Sequence, residues 1–400
     1  MKRLQGVVSL VLISIVVGVG CNDYVTSLDP FIDVIEDTQL DTPERVPFLV
    51  TGVKQQLAYT VDDLFVNAAG LSDEFIFDLR TPTAVFPQFE EFHNGRPLLT
   101  NYQVENINAN IGLLRFIADD LLRRIEEIGD IDDSMARTAR FVGNFYGGLA
   151  RYLGATYLGI DRDRGGATID NGPFIPADEL YGLAIERMEA ALPFADSYEQ
   201  KVVHSAIAKA YLYKGDYQSA AVHVNQGLEE GDPPFQALYT AQDPNYFDIE
   251  AGSQRNQYTA HPRFQGYLDA DPAEAARIPL QPIEASGLTF YVQQKYPSLD
   301  APIDIVSWRE NNLIKAELIV RGVRDGDAAS LINAVRDSHG IGPIVDPVDL
   351  DLIYEERDKE LFLTGARLPD QRRFDRWHLG PDTWRYIPIS QSERDHNPNL

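Results

Sequence analysis

Apolar side chains recur at helical spacing along most of the chain. Val46, Leu49, Val53, Leu57 and Val61 lie three or four residues apart and predict a first helix. Thr42 is placed to cap it, Pro43 suits its first turn, and Glu44 suits the positive end of its dipole. The clearest pattern is Ile107, Ile111, Leu114, Ala118, Leu121, Ile125 and Ile128, which Gly129 ends. On the wet side of that helix, Asp119 with Arg123 and Asp120 with Arg124 are expected as i,i+4 pairs. An acidic turn over 130–133 leads into Met135, Ala139, Val142, Tyr146, Leu149 and Leu153. So short a connection makes the two helices antiparallel neighbours. Gly143, Gly147 and Gly148 leave room for another element to approach closely, although each costs helix propensity of about 1 kcal/mol against Ala.

Further helices are predicted over 178–192, 199–213 and 217–228, the last two broken at Lys214-Gly215-Asp216. The small residues Ala206, Ala210 and Ala220 around that glycine turn resemble a tetratricopeptide helix pair. Helices return over 308–323, 327–337 and 350–365, followed by an irregular, proline-containing tail. Between the helices lie two stretches where the period is lost. One, over 71–100, sets Phe75, Phe77, Phe86, Phe89 and Phe92 among Pro82, Pro87, Gly95 and Pro97. The other, over 232–302, is rich in proline, glycine and aromatics, including Phe235, Tyr239, Tyr258, Tyr291 and Tyr296. Long irregular segments inside a folded chain usually carry function. The expected fold class is therefore mainly α: a tetratricopeptide-like helical part over 42–231, a loop-rich ligand face over 232–302 and a C-terminal part over 303–400.

The N-terminus changes the picture of where this body resides. Met1-Lys2-Arg3 precede an apolar run from Val7 to Val19, with small residues at Gly18 and Gly20 before Cys21. That is the layout of a secretory signal over 1–20. A run of about 13 residues rises about 20 Å as a helix, short of a bilayer core of about 30 Å. Cys21, the chain's single cysteine, resembles the acylated residue of a bacterial lipobox, although Gly18 stands where Leu is usual. Lipidation at Cys21 would leave 21–41 as a tether and make the anchor the sole membrane attachment. One cysteine allows no intrachain disulfide. With 35 Lys and Arg against 61 Asp and Glu, the net charge of −26 would repel phosphate backbones, so nucleic acid is not an expected partner.

Candidate chemistry is sparse. Glu356, Arg357, Glu360, Arg367, Asp370, Arg372 and Arg373 could form a carboxylate dyad with arginine clamps, as a glycosidase requires, but the spacing equally suits structural ion pairs, and the same holds for Glu317. The seven histidines form no ligand spacing and no metal or cofactor is implied. The alternating aspartates of Asp161-Arg162-Asp163-Arg164-Gly165-Gly166 read as a turn, since no bidentate Glu follows as in a calcium loop. Flat rings in the irregular stretches suit stacking on sugar rings or peptide side chains, and equally suit private loop cores. Tyr258, Tyr291 and Tyr296 are the candidate ligand contacts, with Phe92 and Asn94 from the earlier loop.

The C-terminal quarter carries a resemblance. Leu313-Ile314-Lys315-Ala316-Glu317 with Leu331-Ile332-Asn333-Ala334-Val335-Arg336 is similar to a helix pair of the SusD/RagB family. The run from Glu356 to Arg367, then Asp370-Gln371-Arg372-Arg373, resembles that family's charged signature, with Gln371 in place of the usual Leu. Ile387-Pro388-Ile389, Glu393 and Asn397-Pro398-Asn399-Leu400 resemble its ending, and Ala139-Arg140-Phe141 with Tyr152-Leu153-Gly154 a helix before its central loop. The resemblance implies a non-enzymatic, lipid-anchored outer-membrane protein at the cell surface that captures a glycan or peptide nutrient and passes it to a TonB-dependent, SusC-like transporter. An extracellular hydrolase and a tetratricopeptide scaffold binding another protein remain as alternatives.

Overall fold

The computed structural model describes residues 37–345 and 347–400. Cys21 and the signal-like segment lie outside them. No helix among the described residues is long and apolar enough to cross a membrane.

Six helices build the first half: α1 (Val46–Leu71), α2 (Pro87–His93), α3 (Tyr102–Glu127), α4 (Asp133–Tyr157), α5 (Ala177–Glu189) and α6 (Ser197–Lys214), with α7 (Tyr217–Val224) completing the last pair. Their termini follow local chemistry. Asn101 caps α3 by accepting from Gln103 N, and Asp132, from the acidic turn, caps α4 by accepting from Ser134 N and Met135 N. Thr42 makes no such side-chain bond; Pro43–Arg45 instead form a 3₁₀ turn leading into α1. Asp196 and Glu199 form a capping box on α6, and Gly215, at φ +85°, ends it in the left-handed region.

The glycines of α4 do what their spacing suggests. A Cβ on Gly143 would stand 2.6 Å from Leu122 Cγ, and one on Gly148 would stand 2.6 Å from Met188 Cγ on α5. Glycine thus lets α4 sit tightly between α3 and α5. The expected charge pairs of α3 are partly replaced. Asp120 does meet Arg124 at 2.5 Å, but Asp119 turns to Arg151 and Arg187, and Arg123 takes Asp120 and Glu127. Arg124 is buried rather than wet, and it reaches Asp41 at 2.7 Å, so the end of the supposed tether packs on the body.

Beyond α7 the chain is less irregular than its sequence suggests. Two short helices, α8 (Tyr246–Ala251) and α9 (Arg263–Ala270), interrupt the stretch expected to lack helices. Strands β1 (Phe75–Ile76), β2 (Leu158–Gly159), β3 (Gly166–Ala167), β4 (Ile175–Pro176), β5 (Phe235–Ala237), β6 (Thr259–Ala260), β7 (Leu280–Ala285), β8 (Leu288–Gln293), β9 (Ile303–Val306) and β10 (Ile387–Pro388) are short. The largest sheet has the order β1-β6-β8-β7, so the two irregular stretches pair with each other. The C-terminal helices are α10 (Trp308–Val320), α11 (Ala328–Asp337), α12 (Leu350–Glu360), α13 (Arg367–Arg373) and α14 (Gln391–His396). The tail expected to be irregular thus holds α13, α14 and β10, which pairs in parallel with β2.

α1 is the hub. Nearly all its side chains from Gln56 to Leu71 are buried, and it packs on α2, α3, α4, α8 and α13. A second cluster, Ala208, Leu212, Ala220, Val224, Ile314 and Leu318, joins the α6–α7 pair to α10. Small residues on the tetratricopeptide-like pair therefore receive the Ile314–Leu318 face.

The charged C-terminal signature is a lattice of buried ion pairs. Arg357 Nε donates to Asp370 Oδ2 at 2.7 Å, Arg373 Nη2 to Glu317 Oε2 at 2.8 Å, and Arg367 Nε to Asp73 Oδ1 at 2.6 Å. Glu356 accepts from Arg277 at 2.8 Å and from Arg336 at 2.7 Å. Burial alone would raise Asp73, but Arg367 and Arg263 hold its carboxyl at about 2. Each of these carboxylates is committed to arginine, which is the structural reading of the cluster. Gly365, at φ +76°, meets α1 and α4 so closely that a Cβ would lie 2.5 Å from Phe65 Cδ1, while its carbonyl accepts from Tyr157 Oη at 2.9 Å.

Candidate ligand-binding groove

A groove of about 620 Å³ runs between α1, the chain around β5, the middle of α4 and the start of α6. Its walls carry Tyr59, Tyr146, Tyr198, Phe235 and Tyr239, with Leu238 at the rim, 71 % exposed. Tyr59, on the wet face of α1, is 39 % exposed. Tyr198 and Phe235 are half-buried, and Tyr146 and Tyr239, 5 % and 7 % exposed, back them from behind. Phe235 stands edge-on to Tyr146, with centroids 6.0 Å apart, and to Phe145 at 5.4 Å. Tyr239 Oη donates to the Ala58 carbonyl at 3.0 Å. β5 pairs antiparallel with β9, and the register shifts between Phe235 and Gln236, which re-aims successive side chains.

Its polar side chains, besides the tyrosine hydroxyls, are Thr51, Lys54, Gln55, Gln236, Thr240 and Asp243. Asp243 closes a turn with Thr240, its N–H donating to Thr240 Oγ1 at 3.1 Å. Its carboxylate accepts from Gln55 Nε2 at 2.6 Å and from the Tyr59 hydroxyl. That contact, more than burial, raises the Tyr59 phenol. Gln236 Nε2 donates to Asp304 Oδ1 at 2.7 Å. Amides, hydroxyls and one carboxylate beside flat rings can meet both the edges and the apolar faces of a sugar. Asp243 is the single acid among the residues lining the groove, whereas glycoside hydrolysis calls for two carboxyl groups about 5–9 Å apart.

A second cleft, about 480 Å³, lies between α3, α4 and the C-terminal strand and helix. Phe116, 54 % exposed, stands at its mouth. Its acids are engaged: Glu393 accepts from Thr168 Oγ1 at 2.7 Å, Glu105 from Ser392 N at 3.1 Å, and Asp170 pairs with Arg115. The Asp161–Gly166 segment is the expected turn, with Asp161 Oδ1 accepting from Asp163 N and Arg164 N.

None of the five ligand contacts expected from sequence lines the groove. Tyr258 is wholly buried, stacked on Phe75 at 5.4 Å and edge-on to Phe89 at 5.0 Å, and its hydroxyl donates to the Phe89 carbonyl. Gly70 makes way for it, since a Cβ there would lie 2.2 Å from Tyr258 Oη. Tyr296 is 3 % exposed, packs on Phe247 and donates to the Leu363 carbonyl at 3.1 Å. Phe92 is buried on α2. A solvent-borne ligand does not meet these three rings in this conformation, which corrects their reading as surface contacts. The physical reason is that Phe92 is wholly apolar, and that a tyrosine whose hydroxyl finds a backbone acceptor, as Tyr258 and Tyr296 do, can be buried whole. Tyr291, half-buried on β8 opposite Ala260 and Pro282, and Asn94, exposed at the end of α2, are both reachable but lie elsewhere. Sequence did offer one signal: Gln55 and Tyr59 fall off the apolar stripe of α1, one turn apart.

No protein-family model and no curated protein sequence matches the chain. Solved structures do. The architecture is that of a mainly α protein with tetratricopeptide-like pairs braced by an ion-paired C-terminal part. It superposes on a SusD superfamily protein from Bacteroides vulgatus with a TM-score of 0.74 at 16% identity, covering 90% of this chain and 98% of that one. A SusD superfamily protein from Bacteroides thetaiotaomicron gives a TM-score of 0.73 at 17% identity over the same shares. Surface glycan-binding protein A from Bacteroides thetaiotaomicron, in complex with laminarihexaose, gives 0.65 at 16% identity, again over 90% and 98%. The chain has the SusD-like fold.

Proposed function

We propose that this chain is a SusD/RagB-type surface protein that captures a soluble glycan and performs no chemistry on it. The observation that carries the reading is the aromatic groove, which Tyr59, Tyr198 and Phe235 line together with the single carboxylate of Asp243. One acid held by Gln55 and Tyr59 is furnished for hydrogen bonding to hydroxyls and lacks the second carboxyl of a glycosidase. The likeness to proteins named for glycan binding supports the ligand class. Lipid on Cys21 anchors the protein to the outer membrane, facing outward, and a TonB-dependent, SusC-like transporter receives the cargo.

Isothermal titration of the mature chain with laminarihexaose and a panel of other oligosaccharides tests the capture step. Binding of at least one glycan without new products by chromatography is expected, weakened about tenfold or more by Tyr59→Ala. Turnover would favour the hydrolase, and silence across glycans and peptides would favour a protein-binding scaffold. Mild detergent extraction of the outer membrane should recover a large barrel protein with this chain, and recovery of the chain alone would defeat the delivery step.

A further inference from the structure

Away from the groove, α1, α3 and α8 bring together side-chain oxygens that have no hydrogen-bond partner. Asp63 Oδ2, Asn67 Oδ1, Gln103 Oε1 and Glu250 Oε2 are all buried and unpartnered, on residues 8 %, 0 %, 2 % and 3 % exposed. Buried polar atoms normally find a partner, so four acceptors without donors in one region of the fold call for an explanation. They are neighbours. Asn67 Nδ2 donates to Asp63 Oδ1 at 3.1 Å, Gln103 Nε2 donates to Tyr246 Oη at 3.0 Å, and the Glu250 carboxylate lies near enough to act on the ionisation of both Asp63 and Tyr246. The charge is unbalanced as well. Asp62, Asp63 and Glu250 lie in this region, and Arg255, 46 % exposed, pairs with Glu250 Oε1 at 2.9 Å.

We propose that Asp63, Asn67, Gln103 and Glu250 hold a calcium ion. Two carboxylate and two amide oxygens are hard ligands of the kind calcium takes, six to eight at a time in irregular geometry, with water completing the shell. Magnesium fits less well, since it demands a near-ideal octahedron and keeps its waters. Asp62 stays outside the shell, because its oxygens already accept from Asp63 N at 2.6 Å and Tyr246 N at 3.0 Å. Protons are the competing occupants: burial pushes the Asp63 carboxyl up to about 7 and raises that of Glu250. Two protons, however, supply two donors to four acceptors, whereas one cation meets all four. The described residues hold no group of three or more His, Cys, Asp or Glu placed for a metal, so this site depends on its amide oxygens. Its effect would be to fasten α8, at the entry to the loop-rich stretch, onto the helical hub.

Equilibrium dialysis of the full mature chain, stripped with EDTA and returned to calcium chloride up to about 1 mM, a range used by extracellular modules, is the direct test. One calcium per chain is expected, with a rise of several degrees in Tm that magnesium does not reproduce. Glu250→Gln and Asp63→Asn should each weaken binding tenfold or more. Should either fail to fold, Gln103→Met removes one ligand oxygen without a charge and should also weaken binding. No bound calcium in the wild-type chain would overturn the assignment, as would unchanged affinity in the folded variants. A Tm that follows pH but ignores calcium would assign the oxygens to protons.

Discussion

Glu74 is the most informative group for stability. It follows α1, is 1 % exposed, and accepts from Leu363 N at 2.6 Å through Oε1 while Oε2 finds no partner. Burial, reinforced by nearby Asp358 and only partly opposed by Leu363 N and the arginines Arg367 and Arg263, raises its carboxyl to about 8. A raised carboxylate binds its proton more tightly folded than unfolded, so its contribution to stability is intact below the unfolded value of 4.5 and is lost as pH rises toward 8. Moving the carboxyl from 4.5 to about 8 corresponds to a loss of roughly 5 kcal/mol across that window. Glu74→Gln keeps the acceptor for Leu363 N and removes the titration. Urea unfolding at pH 5, 6, 7 and 8 should show wild-type stability falling by up to about 1.4 kcal/mol per pH unit more steeply than that of the variant. Parallel pH profiles for the two proteins would refute the assignment of a buried, proton-holding Glu74.

Tyr258→Phe should lower stability by about 1–2 kcal/mol in urea unfolding, through the buried Phe89 carbonyl it strands, and leave glycan affinity unchanged. Tyr59→Ala should do the reverse, and lost affinity in Tyr258→Phe with intact stability would return Tyr258 to the ligand face. Arg367→Met strips Asp73 of its bidentate partner, with Arg263 remaining at 3.1 Å, and should cost about 3 kcal/mol at pH 7 by the same assay. Because Asp73 is depressed when folded, its own contribution is present above pH 4 and should fade between about pH 4 and 2. Gly365→Ala forces a Cβ toward Phe65 in left-handed backbone, and should lower Tm with a cost of about 1–3 kcal/mol.

Elements whose signals are local are legible in the order of residues. Period-3.6 stripes located α1, α3 and α4, because apolar residues three or four apart mark a side that each helix buries. The glycines of α4 and the turn at Gly215 were legible for the same reason, since a missing Cβ or a left-handed residue is written in one letter. The C-terminal motif pointed to the SusD-like fold. Tertiary structure alone decided which aromatics reach solvent. Tyr258 and Tyr59 are the same residue type, and nothing local says that one hydroxyl will find the Phe89 carbonyl, 169 residues away, while the other meets Asp243, 184 residues away. The short strands, α8, α9, α13 and the buried oxygens of Asp63, Asn67, Gln103 and Glu250 belong to that second category. Each depends on partners distant in sequence, and burial and hydrogen bonding are settled only when those partners arrive.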